Sequence, residues 1–123
     1  MTQTASQEVL FIATRSPWSG SSAAAGADLL MTAAVFDQPV RVVFCGDGVW
    51  QLLTDQNGDA LKMKTLSRIF PAFELYDIRH VHVSASALRE RGLTKGDLNI
   101  ETSAVSDDEI RALIAGSKYL FVF

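Results

Sequence analysis

The thiol of Cys45 stands in the stretch Val42 to Leu53, VVFCGDGVWQLL, where an apolar run stops and a Gly-Asp-Gly turn begins. A thiol at a strand end becomes a nucleophile when a helix N-terminus or a neighbouring cation lowers its pKa. A helix starting near Gly48 would supply the first of these. The competing reading is interior packing, because cysteine is among the most often buried residue types and VRVVFC reads as core. Asp47 lies in the same turn and is a candidate general base, but a turn-forming residue between two glycines explains it equally well.

His80 and His82 are two apart in an apolar run, which puts them on one face of a strand. Two ligands are not a metal site, and one cysteine cannot complete a structural zinc set. No metal is expected, and packing or partner contact is the favoured role. The loop SPWSGSS, residues 16–22, offers hydroxyls and a glycine ahead of a helix, as a phosphate or flavin cradle would. It lacks the Gly-Lys-Ser/Thr ending of a Walker loop, and no G-x-G-x-x-G follows the strand, so capping of the helix is favoured and no cofactor is expected.

These residues need elements to hold them. Five short apolar runs have the length and β-branched or aromatic content of strands: Val9 to Ala13, Val40 to Cys45, His80 to Val83, Leu98 to Glu101 and Tyr119 to Phe123. VLFIA, VRVVFC and YLFVF are nearly continuous rather than alternating, as in a parallel sheet covered on both faces. Helical spacing predicts helices over Ala23 to Phe36, over KTLSRIFPAFELYD with a bend at Pro71, over SASALRERG closed by Gly92, and over SDDEIRALIAG capped by Ser106. The exposed charges of ALRERG read as a solvated face. Alternating strands and helices imply an α/β fold: a three-layer α/β/α sandwich on a mainly parallel five-stranded sheet, flavodoxin-like in general layout. The functional crevice of such a sheet lies beyond the carboxyl ends of its strands. The candidate loops there are TRSPWSGSS, CGDG, SASA and TSAVS.

A chain of 123 residues, 48% of them hydrophobic, supports one core, so residues 8–123 are read as one domain behind a flexible leader, residues 1–7. The balance of 11 basic and 14 acidic residues gives a charge of -3, which is no footprint for direct nucleic-acid binding. No run is long enough to span a membrane, the leader lacks an export pattern, and a lone cysteine makes no internal disulfide, so a cytoplasmic protein is expected.

VVFCGDGVWQLL, followed by ELYDIRHVHVSASALRERGL and a terminal apolar strand, resembles the DsrE/DsrF/DsrH sulfur-relay family, and within it the TusC (DsrF) type of subunit. The resemblance covers Val9 to Phe123 and implies a DsrEFH-like domain. It implies a heterohexamer with TusB-like and TusD-like subunits, two copies of each, that takes persulfide sulfur from a TusA-like donor and passes it to a TusE-like acceptor. The destination would be thiolation of tRNA wobble uridine or, alternatively, dissimilatory sulfur oxidation. In the family the accepting cysteine belongs chiefly to the TusD/DsrE sibling, at a place that falls here on Ser84. A hydroxyl cannot carry sulfane sulfur by thiolate exchange. The chain is therefore expected to be no enzyme on its own but a non-catalytic subunit, with Cys45 structural and direct carriage by Cys45 as the alternative. The short apolar helix with Trp50, Gln51 and Leu52 is the expected partner contact, since aromatic residues anchor interfaces.

Overall fold

The computed structural model describes residues 9–16, 22–35, 39–53, 78, 80–98 and 100–123. Strand β1 (Val9–Ala13) leads to helix α1 (Ser22–Val35), then β2 (Val40–Phe44) and a 3-10 helix (Gly46–Leu52). After these come β3 (His80–Ser84), α2 (Ala85–Glu90), a 3-10 turn (Lys95–Asp97), β4 (Ser103–Val105), α3 (Asp107–Gly116) and β5 (Tyr119–Val122). All strand pairs are parallel, in the order β4-β3-β2-β1-β5. The leader, the loop Pro17 to Ser21 with Trp18, and the expected helix KTLSRIFPAFELYD lie outside the described residues.

The strand order dictates the layers. From β1 to β4 the chain steps toward one edge, and from β4 to β5 it returns. Right-handed crossovers place forward steps on one face and the return on the other. Leu30 of α1, Val49 and Leu52 of the 3-10 helix, and Ala87 and Leu88 of α2 accordingly share one core with Phe11, Val42, Phe44 and Val83. The opposite face is smaller: Ile110 and Leu113 of α3 pack on Leu10, Ile12 and Val43. Phe11, Val42 and Val43, in the near-continuous apolar strands β1 and β2, are completely buried, whereas YLFVF, expected to be covered in the same way, forms the edge strand β5 and leaves Tyr119 to Val122 exposed.

One expected strand is misplaced. Leu98 forms an isolated antiparallel bridge with Leu53, and the fourth ladder strand is Ser103–Val105, within the stretch read as the loop TSAVS. A capping box explains the shift: Thr94 N–H donates to Asp97 Oδ2 at 2.9 Å, and the turn that follows carries Leu98 onto the core rather than into the ladder. His82 is held across the sheet. Arg41 Nη1 donates to its Nε2 at 2.7 Å, so Nδ1 carries the proton and donates to Ser103 Oγ at 2.8 Å. Among the described residues no group of histidine, cysteine and carboxylate side chains is arranged to hold a metal ion, and no helix is long and apolar enough to cross a membrane.

Candidate functional site

An open cleft of about 320 Å³ lies at the carboxyl ends of β2 and β3, lined by Cys45, Ser84, Ser86, Glu90, Asp107 and Arg111 among others. The two strand ends singled out in the sequence, at Cys45 and at Ser84, therefore open into one space.

Cys45 follows β2 in extended backbone (φ -139°, ψ 167°) and caps the 3-10 helix without a hydrogen bond from its side chain. Its N–H donates to the Ala13 carbonyl at 3.0 Å, and its own carbonyl accepts from Gly48 N–H at 2.9 Å. Both glycines of the turn are required by the backbone. Gly46 has φ +52°, in the left-handed region, and a Cβ on Gly48 would lie 2.0 Å from the Ala13 carbonyl oxygen. Asp47 between them is exposed, and Arg91 holds it: Nη2 and Nε both donate to Oδ1, at 2.9 and 3.3 Å. A third bond, from Arg91 Nη1 to the Ala87 carbonyl at 3.1 Å, fixes that guanidinium against α2. Arg91 is thus a clamp between the end of α2 and the Gly-Asp-Gly turn, not a solvated charge.

The thiol is half buried, and its pKa is raised, first by burial and then by the negative charge of Asp107. Arg111, a cation that lines the same cleft, has its guanidinium bonded to Asp108. Cys45 is accordingly held as the thiol at neutral pH, the opposite of what an activated nucleophile needs.

Ser84 closes β3 and is buried. Its Oγ accepts from Ala87 N–H at 3.1 Å and so caps α2, the favoured chemistry for serine at that position. Ser86 Oγ lies 3.1 Å from Ser84 Oγ and donates to Asp107 Oδ1 at 3.1 Å, linking the start of α2 to the first turn of α3. This hydroxyl chain has no counterpart in the sequence reading, because Asp107 is 21 residues from Ser86.

The 3-10 helix expected as a contact surface faces mostly inward. Gln51 and Leu52 are completely buried, and Gln51 Nε2 donates to the Arg15 carbonyl at 2.8 Å. Trp50, half buried, is the member of the trio with surface to offer.

The DsrE/DsrF-like family model matches residues 7–123. The chain is similar to "Protein TusC homolog" of Vibrio vulnificus (strain CMCP6), at 36% identity over 116 residues, spanning 94% of this chain and 98% of that protein. It is similar to the protein of the same name in Pseudomonas aeruginosa, at 36% over 109 residues, spanning 89% and 92%. Among solved structures, the YchN protein from E. coli superposes with a TM-score of 0.83, over 95% of this chain and 99% of that one, at 13% identity. The last comparison speaks for the fold alone.

Proposed function

Since the chain belongs to the DsrE/DsrF-like family, we propose that it is a non-catalytic subunit of a sulfur-relay complex, of the type its TusC-named relatives represent. The observation that carries this reading is Ser84. At the strand end where the family's accepting cysteine is expected stands a hydroxyl that is buried and committed to capping α2. Persulfide transfer proceeds by thiolate attack on sulfur, and an alcohol neither accepts nor releases sulfane sulfur that way. The thiol that does open into the cleft is protonated at neutral pH.

On this reading the chain assembles with TusB-like and TusD-like siblings, two copies of each, in the cytoplasm. The TusD-like sibling receives sulfur from a TusA-like donor and delivers it to a TusE-like acceptor for 2-thiolation of tRNA wobble uridine. This chain touches neither nucleic acid nor membrane. Its acidic net charge supports that division of labour.

The test is co-expression with both siblings, purification through a tag on this chain, and intact-mass analysis after exposure to persulfide-loaded donor. The expected result is co-purification of both siblings and added sulfur on the TusD-like subunit only. Failure to co-purify overturns the assembly; added sulfur on this chain overturns the non-catalytic role. One observation favours a second reading: Cys45 shares the cleft with Ser84, so added sulfur that disappears in Cys45→Ser would make Cys45 a secondary stop in the relay.

A further inference from the structure

The two faces of β3 differ in chemistry. Val81 and Val83 turn into the main core, and by the two-residue period of a strand His80, His82 and Ser84 share the other face. On that face the register sets His82 opposite Val43 of β2 and Ser103 of β4, and sets His80 opposite Arg41. Arg41 is therefore the diagonal neighbour of His82. His80 and Ser103 are exposed while Arg41 and His82 are half-buried, so a guanidinium here has solvent beside it.

Acid acts differently on the two bonds of the imidazole to Arg41 and Ser103. Arg41 Nη1 donates to Nε2 at 2.7 Å. A guanidinium has donors, no acceptor and a permanent charge, so this bond requires an unprotonated Nε2. Nδ1–H donates to Ser103 Oγ at 2.8 Å, and Nδ1 keeps its proton in the neutral and the charged ring alike. A proton taken up by the ring therefore goes to Nε2. There it removes the acceptor of the Arg41 bond and sets a second cation against the guanidinium, which disfavours the charged form. Around this pair, His80 is the titratable neighbour on β3 itself, exposed Glu101 precedes Ser103 by two residues, and Cys45 follows Val43 by two. Of the charges on α3, which packs on Leu10, Ile12 and Val43, the carboxylates of Asp107, Asp108 and Glu109 accept from Ser86, Arg111 and Ser106. Helix α2, with Arg89 and Glu90, and the 3-10 helix, whose Asp47 is held by Arg91, pack on the opposite face.

We infer that Arg41, His82 and Ser103 form a proton-operated latch across β2, β3 and β4: it is closed while the imidazole is neutral, and it opens by release of the Arg41 guanidinium toward solvent when Nε2 takes a proton from water. The moving part is the Arg41 side chain. The bond from Nδ1–H to Ser103 persists in both states, so β4 stays tied to β3 and the sheet does not come apart. Opening changes the surface instead. The closed face carries one cation, tied down on a neutral ring; the open face carries two, with the guanidinium donors turned outward. Because folding holds the ring neutral, the closed latch contributes stability above the titration point of the unfolded chain's histidine and loses it as the pH falls through that of the folded one. The device rests on these three side chains and is independent of the relay reading.

The latch is tested by nitrogen NMR of the isotope-labelled full chain, with unlabelled siblings where they co-purify. The chain has two histidines, so His80→Gln leaves His82 as the one imidazole to follow. Its neutral form is expected to be the Nδ1–H tautomer, with a titration midpoint below the value of about 6.5 for free histidine. The Arg41 Nε signal should move with that same midpoint, as the guanidinium leaves the ring. Arg41→Met keeps the stem and removes the donor and the charge; it should raise the midpoint by at least about half a pH unit, a roughly threefold gain in proton affinity. Ser103→Ala, which removes an acceptor used in both states, should leave the midpoint below that of free histidine. An Nε2–H tautomer, a midpoint at or above the free value, or an Arg41 signal that ignores the titration overturns the latch. These three readouts come from a chain with Arg41 and Ser103 intact, so they decide the matter even if Arg41→Met fails to fold.

Discussion

Two neighbouring strand ends line the cleft side by side and are held by opposite means. The turn after β2 is fixed by backbone geometry, through the left-handed Gly46 and the close approach of Gly48 to β1, and its one thiol makes no capping bond. The turn after β3 is fixed by a side chain, with Ser84 capping α2 and tied through Ser86 to Asp107. Where the backbone holds the turn, the side chain at the strand end makes no capping bond and only packs against Leu10, Ile12 and Val43. Where a side chain holds it, that hydroxyl is already committed. The sulfur is thus at the strand end that has no activating partner among the described residues, and the hydroxyl at the other strand end is given over to structure.

Substitutions rank these two designs. Gly48→Ala should have the largest effect, because its Cβ would enter the Ala13 carbonyl, which is strand backbone and cannot rotate away. Overpacking typically costs about 1–3 kcal/mol, and this contact should reach about 3 kcal/mol by urea unfolding. A loss below that of Ser84→Ala would invert the ranking. Ser84→Ala removes the cap and leaves Ala87 N–H without its acceptor, which should cost about 1 kcal/mol. Cys45→Ala, with no cap to lose, should cost less. Arg91→Met keeps the side-chain stem and removes the link to the exposed Asp47, and should cost about 0.5 kcal/mol, falling further in high salt. A salt-independent loss of that size would mean that the bond to the Ala87 carbonyl, not the ion pair, holds the clamp.

How far this contrast can be read from sequence follows from its physics. VLFIA and VRVVFC announce buried parallel strands because their apolar character has no alternation, and SDDE announces the capping box at Ser106, which the structure closes with Glu109. The glycines of GDG announce a turn. Signals that depend on distant partners are silent: Asp47 and Arg91 are 44 residues apart, and ALRERG reads as surface charge until the fold sets its last arginine over the turn. The misplaced fourth strand has a different cause. Leu98 and Ile100 are apolar because they pack on the core, whereas β4 is an edge strand with Val105 as its buried residue, so the hydrophobic signal and the ladder separate. The 3-10 helix misleads similarly. GVWQLL looks like an exposed apolar contact, but a 3-10 helix this close to β1 turns Gln51 and Leu52 inward.

The smallest expected effect bears most directly on the chemistry. Burial, and to a lesser degree Asp107, raise the Cys45 pKa above that of a free thiol. Alkylation by iodoacetamide requires thiolate, so the rate at neutral pH should fall below that of an unstructured cysteine and climb to an inflection above about 8.5. The same shift makes the protonated thiol a stabilising state: its contribution is complete below the unfolded-state pKa and is lost as the pH rises through the folded-state one. Asp107→Asn removes the second cause and leaves the first, so it should move the inflection part of the way down and speed alkylation modestly. The variant keeps a side-chain oxygen that can still accept from Ser86, which separates the charge from the hydroxyl chain. A wild-type inflection below that of free cysteine, or a rate already maximal at neutral pH, would show an activated thiolate. The contrast between the two strand ends would then reverse, with β2 bearing the reactive group.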